Sequence, residues 1–541
     1  MRFKKLLSVI GIAFVTVVLL SVLGLSVYAC TNVPVGKDAS VDGSVITTHT
    51  CDGWYDNRIV IVPGKTFEKG TMTPVYKELC HLTRPGVKPV KTGEIPQVEK
   101  TYTYFRVGYP FMNEHQVMIG ESTFGGRFWS GEGILMIEQL EALGLQRAKT
   151  AREAIKVMGA LAEKYGYGDC GEALTVADSN EVWIFEIISA GPTWAPESGK
   201  PGAAWAAQRI PDDHASVIAN RSRIGEINLE DPDHFMASEN VFSFAKEMDW
   251  WDPEDGPFVF WKAYCPEPYG WPFYQRRREW RALSLLAPSL NLDPEAEHYP
   301  FSVKPDKKVS VQDIMAIKRD YLKGTKFDLT KGLAAGPFGN PNRYPTPSKV
   351  KPEGRKDLDW ERALSMFRCS YSFVSQARSW LPDPIGGVLW FGEDAPHSTC
   401  YIPFYCGITK VPKSFSSGRR DVFDKDSAWW AFNFVSNWAD LKFSYMIKDI
   451  KAAQNELEGD FFAMQPAIEK AALEMYKKDP SLAVKFLTDY SNNCANRAVD
   501  TWWKLAKKLI AKYDDGYVNG ESVGYPTWWL KAVDFGGTIG K

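Results

Sequence analysis

The chain offers little to a metal ion. Its seven histidines are scattered, no two of its nine cysteines form a C-x-x-C pair, and H-E-x-x-H is absent. Without such spacings there is no ligand set to assemble, and neither a metal nor an organic cofactor is expected. An excess of charge of one sign is missing too: the formal net charge is −2 over 541 residues. A chain so balanced has no basic surface to draw it to nucleic acid or to an anionic membrane. It has no internal repeat and no low-complexity tract, which excludes solenoids and composition-biased linkers. Beyond residue 29 no apolar run is long enough to span a bilayer.

What is present starts at the first residue. MRFKK carries three positive charges, an apolar run from Leu6 to Val27 follows, and Val27 and Ala29 flank Tyr28. A positive n-region, an apolar h-region and small residues before a cut describe a secretory signal peptide over 1–29. The mature chain then begins at Cys30 and is secreted, periplasmic or elsewhere in the cell envelope, meeting a membrane only before cleavage. Two other fates stay open. The apolar run approaches the roughly 20 residues of an uncleaved anchor, and Cys30 could carry a lipid, although Tyr28 is bulky for a lipobox. Removing Arg2, Lys4 and Lys5 takes the formal charge from −2 to −5. Over 500 residues remain, 20 Trp among the whole chain's residues, enough for a large core. Self-association is left open.

Eight cysteines accompany Cys30: Cys51, Cys80, Cys170, Cys265, Cys369, Cys400, Cys406 and Cys494. In an oxidising compartment they allow up to four disulfides; otherwise they are buried thiols. Between them the pattern alternates. Short β-type segments follow Cys30 (TNVPVGKDASVDGSVITTHT, NRIVIVPG), and apolar residues at helical spacing cover 133–165. EALTVADSN and EVWIFEII read as strands joined by a turn at Asp178–Asn180, and HASVIANRS as another strand. Residues 335–357 are dense in Gly and Pro and read as a surface loop, beyond which CSYSFVSQAR and GGVLWFGED return to the same sheet. From 426 to 541 the pattern is helical. The expected class is α+β, with helices against sheets, divided as 1–29 leader, 30–425 core and 426–541 helical region packed on it.

A cysteine that becomes residue one carries its own base. Its α-amine titrates at about 7.7–8.0 in model compounds and lies beside a thiol of about 8.5. One residue then supplies nucleophile and proton acceptor together, provided that donors await the developing oxyanion.

The residues from Cys30-Thr31-Asn32 through Val35-Gly36-Lys37-Asp38 to Asp42-Gly43-Ser44 resemble the opening of mature dipeptidase A (PepD-like) enzymes. MNEHQVMIGESTFGG, GEALTVADSNEVWIFEI, ARSW with GGVLWFG, and YIPFYCGI agree with that family in order and spacing. These enzymes are N-terminal-nucleophile hydrolases, distant relatives of penicillin V acylases and bile salt hydrolases. The resemblance implies an αββα sandwich with the nucleophile at the start of a central strand, and metal-free, cysteine-type hydrolysis of dipeptides. It makes Cys30 the nucleophile, Asp52 the carboxylate that holds its amine, Asn220 the binder of the tetrahedral intermediate and Arg223 a buried support. Thr123 stands where acylase relatives keep an asparagine; Glu114 and Glu121 follow more weakly. His49 replaces an arginine of the family, so it orients the thiol or Arg58 supplies the charge. The residues leave simpler roles open: Asp52-Gly53 and Asn113-Glu114 as turns, Arg223 as partner of Glu226, Thr123 as structural. An acylase of amide-linked substrates and a lipid-anchored, non-catalytic surface protein remain the alternatives.

Overall fold

The computed structural model describes residues 30–266, 272–343 and 361–534. The leader and residues 344–360 of the Gly/Pro-rich stretch lie outside the described residues. Strand β1 (Val45–Asp52) is buried at every position. It is followed by β2 (Val60–Val62), β3 (Tyr104–Arg106), β4 (Pro110–Asn113), β5 (Met118–Thr123), β6 (Gly171–Ala177), β7 (Val182–Ser189), β8 (Ala203–Arg209) and β9 (Phe235–Ala237). Strands β2 to β9 form one antiparallel meander, each paired with its neighbour in the chain or across an excursion. Strands β10 (Cys369–Ala377), β11 (Val388–Glu393) and β12 (Ile402–Tyr405) instead join β1, in the order β1-β10-β11-β12. Strand β10 runs the whole length of β1, from Val45 opposite Ala377 to Asp52 opposite Cys369. The segments beyond the Gly/Pro-rich stretch thus return to the sheet that β1 opens.

The two sheets lie face to face, which is why β1, β6, β7, β10 and β11 are buried along both faces instead of alternating. Thr47 on β1 reaches Thr175 on β6, Oγ1 to Oγ1 at 2.6 Å. Trp205 on β8 points the other way, against Gly159 in the helical pair α1 (Ile137–Arg147) and α2 (Ala151–Tyr165). On the four-stranded sheet, Phe373 faces inward toward His49, whereas Trp390 stacks outward on Phe462 of the C-terminal helices, centroids 4.2 Å apart. Helix, sheet, sheet and helix therefore succeed one another.

The helical stretch expected over 133–165 divides into two helices. Asn113 Nδ2 donates to the carbonyls of Leu145 and Ala148, which end α1, and the Thr150 side chain accepts from the Glu153 N–H to start α2. HASVIANRS pairs as a regular strand only at Ala215–Ser216, with a further bridge from Ile218 to Asn32. Nor do the cysteines cross-link. All nine are free and buried, several bonding a nearby carbonyl, as Cys170 does Gly126 O at 3.1 Å and Cys406 Asp383 O at 2.7 Å.

Helices α3 (Pro272–Leu286) and α4 (Val311–Lys318) approach the sheets from one end; α4 begins with a reciprocal cap between Ser310 and Asp313. Near the C-terminus α5 (Ala428–Ala439), α6 (Phe443–Lys478) and α7 (Pro480–Lys512) pack on the four-stranded sheet. Asp479 caps α7 through the Ser481 N–H. Helix α6 is fixed by buried polar groups: Gln454 Nε2 donates to His397 O and Thr399 O, and Glu458 pairs with Arg319 and accepts the Tyr401 N–H. No helix among the described residues is long and apolar enough to cross a membrane.

Where the sheets meet, Gly120 on β5 leaves no room for a side chain. A Cβ there would stand 2.5 Å from Thr48 O and 3.2 Å from Asn32 Oδ1. Gly120→Ala is expected to destabilise the fold by about 1–3 kcal/mol, the usual cost of overpacking. Urea unfolding checks this, and an unchanged midpoint contradicts the close approach.

Candidate active site

Residues 30–36 are extended and lie beside β1. Val35 and Ile46 exchange both backbone hydrogen bonds, and Thr50 N–H reaches Thr31 O at 3.2 Å. On its other side the segment pairs with 214–218, through Asn32 with Ile218 and Gly36 N–H with His214 O. Cys30 thus stands at the head of a strand-like segment, 1 % exposed. Threonine hydroxyls complete the pairing, since Thr31 N–H donates to Thr50 Oγ1 and Val33 N–H to Thr48 Oγ1.

Three buried cations surround that head. Arg276, Arg277 and Arg278 are consecutive on α3, so a helical rotation sends them in different directions. Arg276 reaches Ala296 O, and Arg277 forms a two-pronged bond with Glu361. Arg278 turns inward. Its Nη1 donates to Cys30 O at 2.7 Å and Thr31 Oγ1 at 2.8 Å, its Nη2 to Asn220 Oδ1 at 2.9 Å and Ala219 O at 3.1 Å. Lys318 ends α4 and donates to Thr31 O at 2.6 Å. Arg362 forms a fully buried ion pair with Asp52. Burial pulls Arg278 down to about 10, Arg362 to about 9 and Lys318 to about 7.

The expected site residues divide. Asn220 is brought to Cys30 by Arg278; it has φ 60°, its N–H donates to Ser122 Oγ and its Nδ2 to Thr123 O at 2.6 Å. Ser122 Oγ in turn donates to Cys30 O at 3.4 Å. Thr123 joins the group, its hydroxyl donating to Glu121 Oε1 at 2.8 Å. Asp52 closes β1 and is held by Arg362. Arg223 turns to other partners. Its Nη1 meets Glu279 at 2.8 Å and its Nη2 reaches Pro300 O, so it ties down the 298–301 segment, whereas Arg278 is the arginine bonded to both Cys30 O and Asn220. The partner Glu226 considered for Arg223 is likewise replaced by Glu279.

His49 supplies no positive charge. Its Nδ1 accepts the Glu121 N–H at 3.3 Å and its ring packs among Tyr109, Tyr371 and Phe373. Burial, then Lys318, push it well below its ordinary range, so it is neutral with the proton on Nε2. Arg58 does not substitute, because both arms of its guanidinium engage Asp56. Glu114 accepts the Thr103 N–H, away from the group, and Asn113 is a turn residue whose Oδ1 accepts the N–H of His115 and Val117.

Burial above all raises the Cys30 thiol well above its ordinary range, followed by its hydrogen bond with Cys51 and the charge of Glu121. Glu172, paired across the strands with Thr123, is also pushed well up, by burial and then Glu121. Among the described residues, Cys30, His49 and Cys51 form one group of metal-type donors, all within 4.8 Å. With Nδ1 accepting a backbone N–H and Nε2 protonated, the ring as placed offers an ion no free lone pair. Two cavities among the described residues, of about 320 and 210 Å³, are walled by residues outside this group, such as Trp194 and Phe244 or Tyr104 and Gln139.

Arg278, Lys318 and Arg362 escaped the sequence reading. For Lys318 a signal existed, since Val311, Ile314, Met315 and Lys318 recur at i, i+3, i+4 and i+7 and share the buried face of α4. Nothing in the three-arginine run says which one turns inward, and Arg362 adjoins the Gly/Pro-rich stretch.

Fold and site together define a layered α+β protein built around one buried cysteine and its cationic cage. The chain belongs to peptidase family C69, whose profile matches residues 29–456. It is similar to a protein named "Probable dipeptidase" from Latilactobacillus sakei, 26 % identical over 74 % of this chain and 79 % of the relative. A "Probable dipeptidase" from Salmonella dublin is 26 % identical over 71 % and 82 %. "Probable dipeptidase B" from Streptococcus pyogenes serotype M1 is 22 % identical over 89 % and 93 %.

Lys318 gives a pH signature. Its folded-state amine, near 7, binds a proton less tightly than the ordinary 10.5. Between those values the unfolded chain holds more protons, so this group's contribution to stability rises with pH across the window. The Tm of the wild type minus that of Lys318→Met is expected to increase across it. A constant difference would remove the buried amine from the account.

Proposed function

We propose that the protein is an exported dipeptidase that begins at Cys30 once residues 1–29 are removed, and that it hydrolyses its substrate through a thioester on that cysteine. The observation that carries this is the placement of Cys30: first residue of the family match but one, head of an extended segment, with its carbonyl and Asn220 on the same guanidinium. The helix–sheet–sheet–helix layering supports assignment to the N-terminal-nucleophile hydrolases. The names of the relatives supply the substrate class.

The chemistry follows from the charges. Burial keeps the thiol protonated, so attack requires an acceptor at hand, and the α-amine of a first residue is one. The amine takes the thiol proton, Sγ bonds to the peptide carbonyl, and the developing oxyanion is received by donors on the Asn220–Thr123 side. Collapse expels the second amino acid as an amine that carries the proton away. Water, relieved of a proton by the same amine, then cleaves the thioester. Asp52, neutralised by Arg362, shapes the electrostatics of the amine, and the Glu121 carboxylate, held by the Thr123 hydroxyl, is an acceptor for a substrate ammonium.

Protein beginning at Cys30 is expected to cleave dipeptides with a rate that falls as pH drops below the amine's range of about 7.7–8.0, while Cys30→Ala folds and is inert. A flat profile into acid, or turnover by Cys30→Ala, contradicts the mechanism. Preference for N-acyl amides over dipeptides in a parallel panel would move the substrate to the acylase class, and a lipid mass on Cys30 would remove the base.

A further inference from the structure

We propose that Cys51 is a resolving cysteine for Cys30: a peroxide-class oxidant converts the two into a reversible intramolecular disulfide at the active site. That this silences the enzyme rests on Cys30 being the nucleophile; that the bond forms does not.

The argument is one of register. Val35 exchanges both hydrogen bonds with Ile46, and Thr31 O accepts the Thr50 N–H. The same antiparallel register sets Cys30 opposite Cys51, at a position of the alternation without a hydrogen-bonded pair. Residues so placed have Cα atoms about 4.5 Å apart, inside the range of about 4.4–6.8 Å that a disulfide spans and near its short end. The sulfurs lie within 4.8 Å of one another and share a hydrogen bond. The strand register shifts between Cys51 and Asp52, an irregularity that gives Cys51 freedom to adjust where a regular ladder would hold it.

The other thiols near the core are committed elsewhere. Cys369 donates to Tyr371 O at 2.8 Å, Cys170 to Gly126 O and Cys406 to Asp383 O. Only Cys51 is both across the strand from Cys30 and bonded to it. Arg278, Lys318 and Arg362 each feel the Cys30 sulfur, and a thiolate formed there has cations to stabilise it.

The chemistry balances. Cys30 thiolate attacks a peroxide oxygen, breaking the O–O bond to give a sulfenic acid and hydroxide, which takes up the thiol proton as water. Cys51 sulfur attacks the sulfenic sulfur, the S–S bond forms, and a second water leaves with the Cys51 proton. Two thiols are oxidised by two electrons and one peroxide is reduced to two waters; an external dithiol reverses the bond by exchange.

The test treats protein beginning at Cys30 with hydrogen peroxide and follows intact mass, non-reducing peptide maps and dipeptide turnover. A loss of about 2 Da, two hydrogens, with the Cys30 and Cys51 peptides linked, is expected. Turnover is lost and dithiothreitol restores it. Cys51→Ser is expected to turn over before oxidation and, after peroxide in an excess whose second equivalent carries the unresolved sulfenic acid on to sulfinic acid, to lose activity that dithiothreitol does not restore. The map needs no variant, so a misfolded Cys51→Ser leaves the proposal open to refutation. Linkage to Cys369 in place of Cys51, no linkage, or full recovery of Cys51→Ser would overturn it. Linkage with turnover intact would uphold the bond and refute Cys30 as nucleophile.

Discussion

One guanidinium joins three segments that the chain keeps far apart. Arg278, from α3, bonds the carbonyl of Cys30, the hydroxyl of Thr31, the carbonyl of Ala219 and the side chain of Asn220. Each bond from a charged donor is worth about 1.5–3 kcal/mol, and each acceptor left bare in the interior costs about 1–3 kcal/mol. The desolvated charge is tolerable only because its donors are used, including Nε on Tyr274 O. The interaction therefore works in both directions. It fixes the head of the 30–36 segment, and the segment's carbonyls are what permit an arginine there at all.

The remaining architecture keeps those partners in reach. Gly120 lets the sheets approach until Thr47 and Thr175 touch, which puts β5 and its Glu121–Ser122–Thr123 end beside Cys30. From the opposite side α4 delivers Lys318 to Thr31 O, and the next residue, Arg319, is bound by Glu458 of α6. The C-terminal helices thus reach the site through one helix end.

Much of this was legible in the sequence, for local reasons. Turn residues at Asp178–Asn180 marked the β6–β7 hairpin, and the strand-like segments after the Gly/Pro-rich stretch return to one sheet with β1. What the sequence left open has physical causes. The break between α1 and α2 depends on Asn113, distant in sequence, which accepts no periodicity rule. Arg223 and Arg278 are both buried arginines, and only the fold decides that Glu279 claims the first. His49 stands where the family has an arginine, and only the fold shows the three aromatic rings and the backbone N–H that keep it neutral. The free cysteines reflect separation on different elements, which no count of cysteines reveals.

The arrangement places a protonated, buried thiol beside cations that favour its charged form and a carboxylate, Glu121, that opposes it. In the proposed mechanism such a balance makes Cys30 wait for its base, so the chemistry hinges on what sits at its amine. The most direct test is to quench with acid, during turnover of an aminoacyl ester, a protein that begins at Cys30 and to locate the adduct by peptide mass. The account predicts one aminoacyl group on the Cys30 peptide as a thioester; an adduct on another residue, or product formation with none trapped while the ester acylates other cysteine hydrolases, would contradict it.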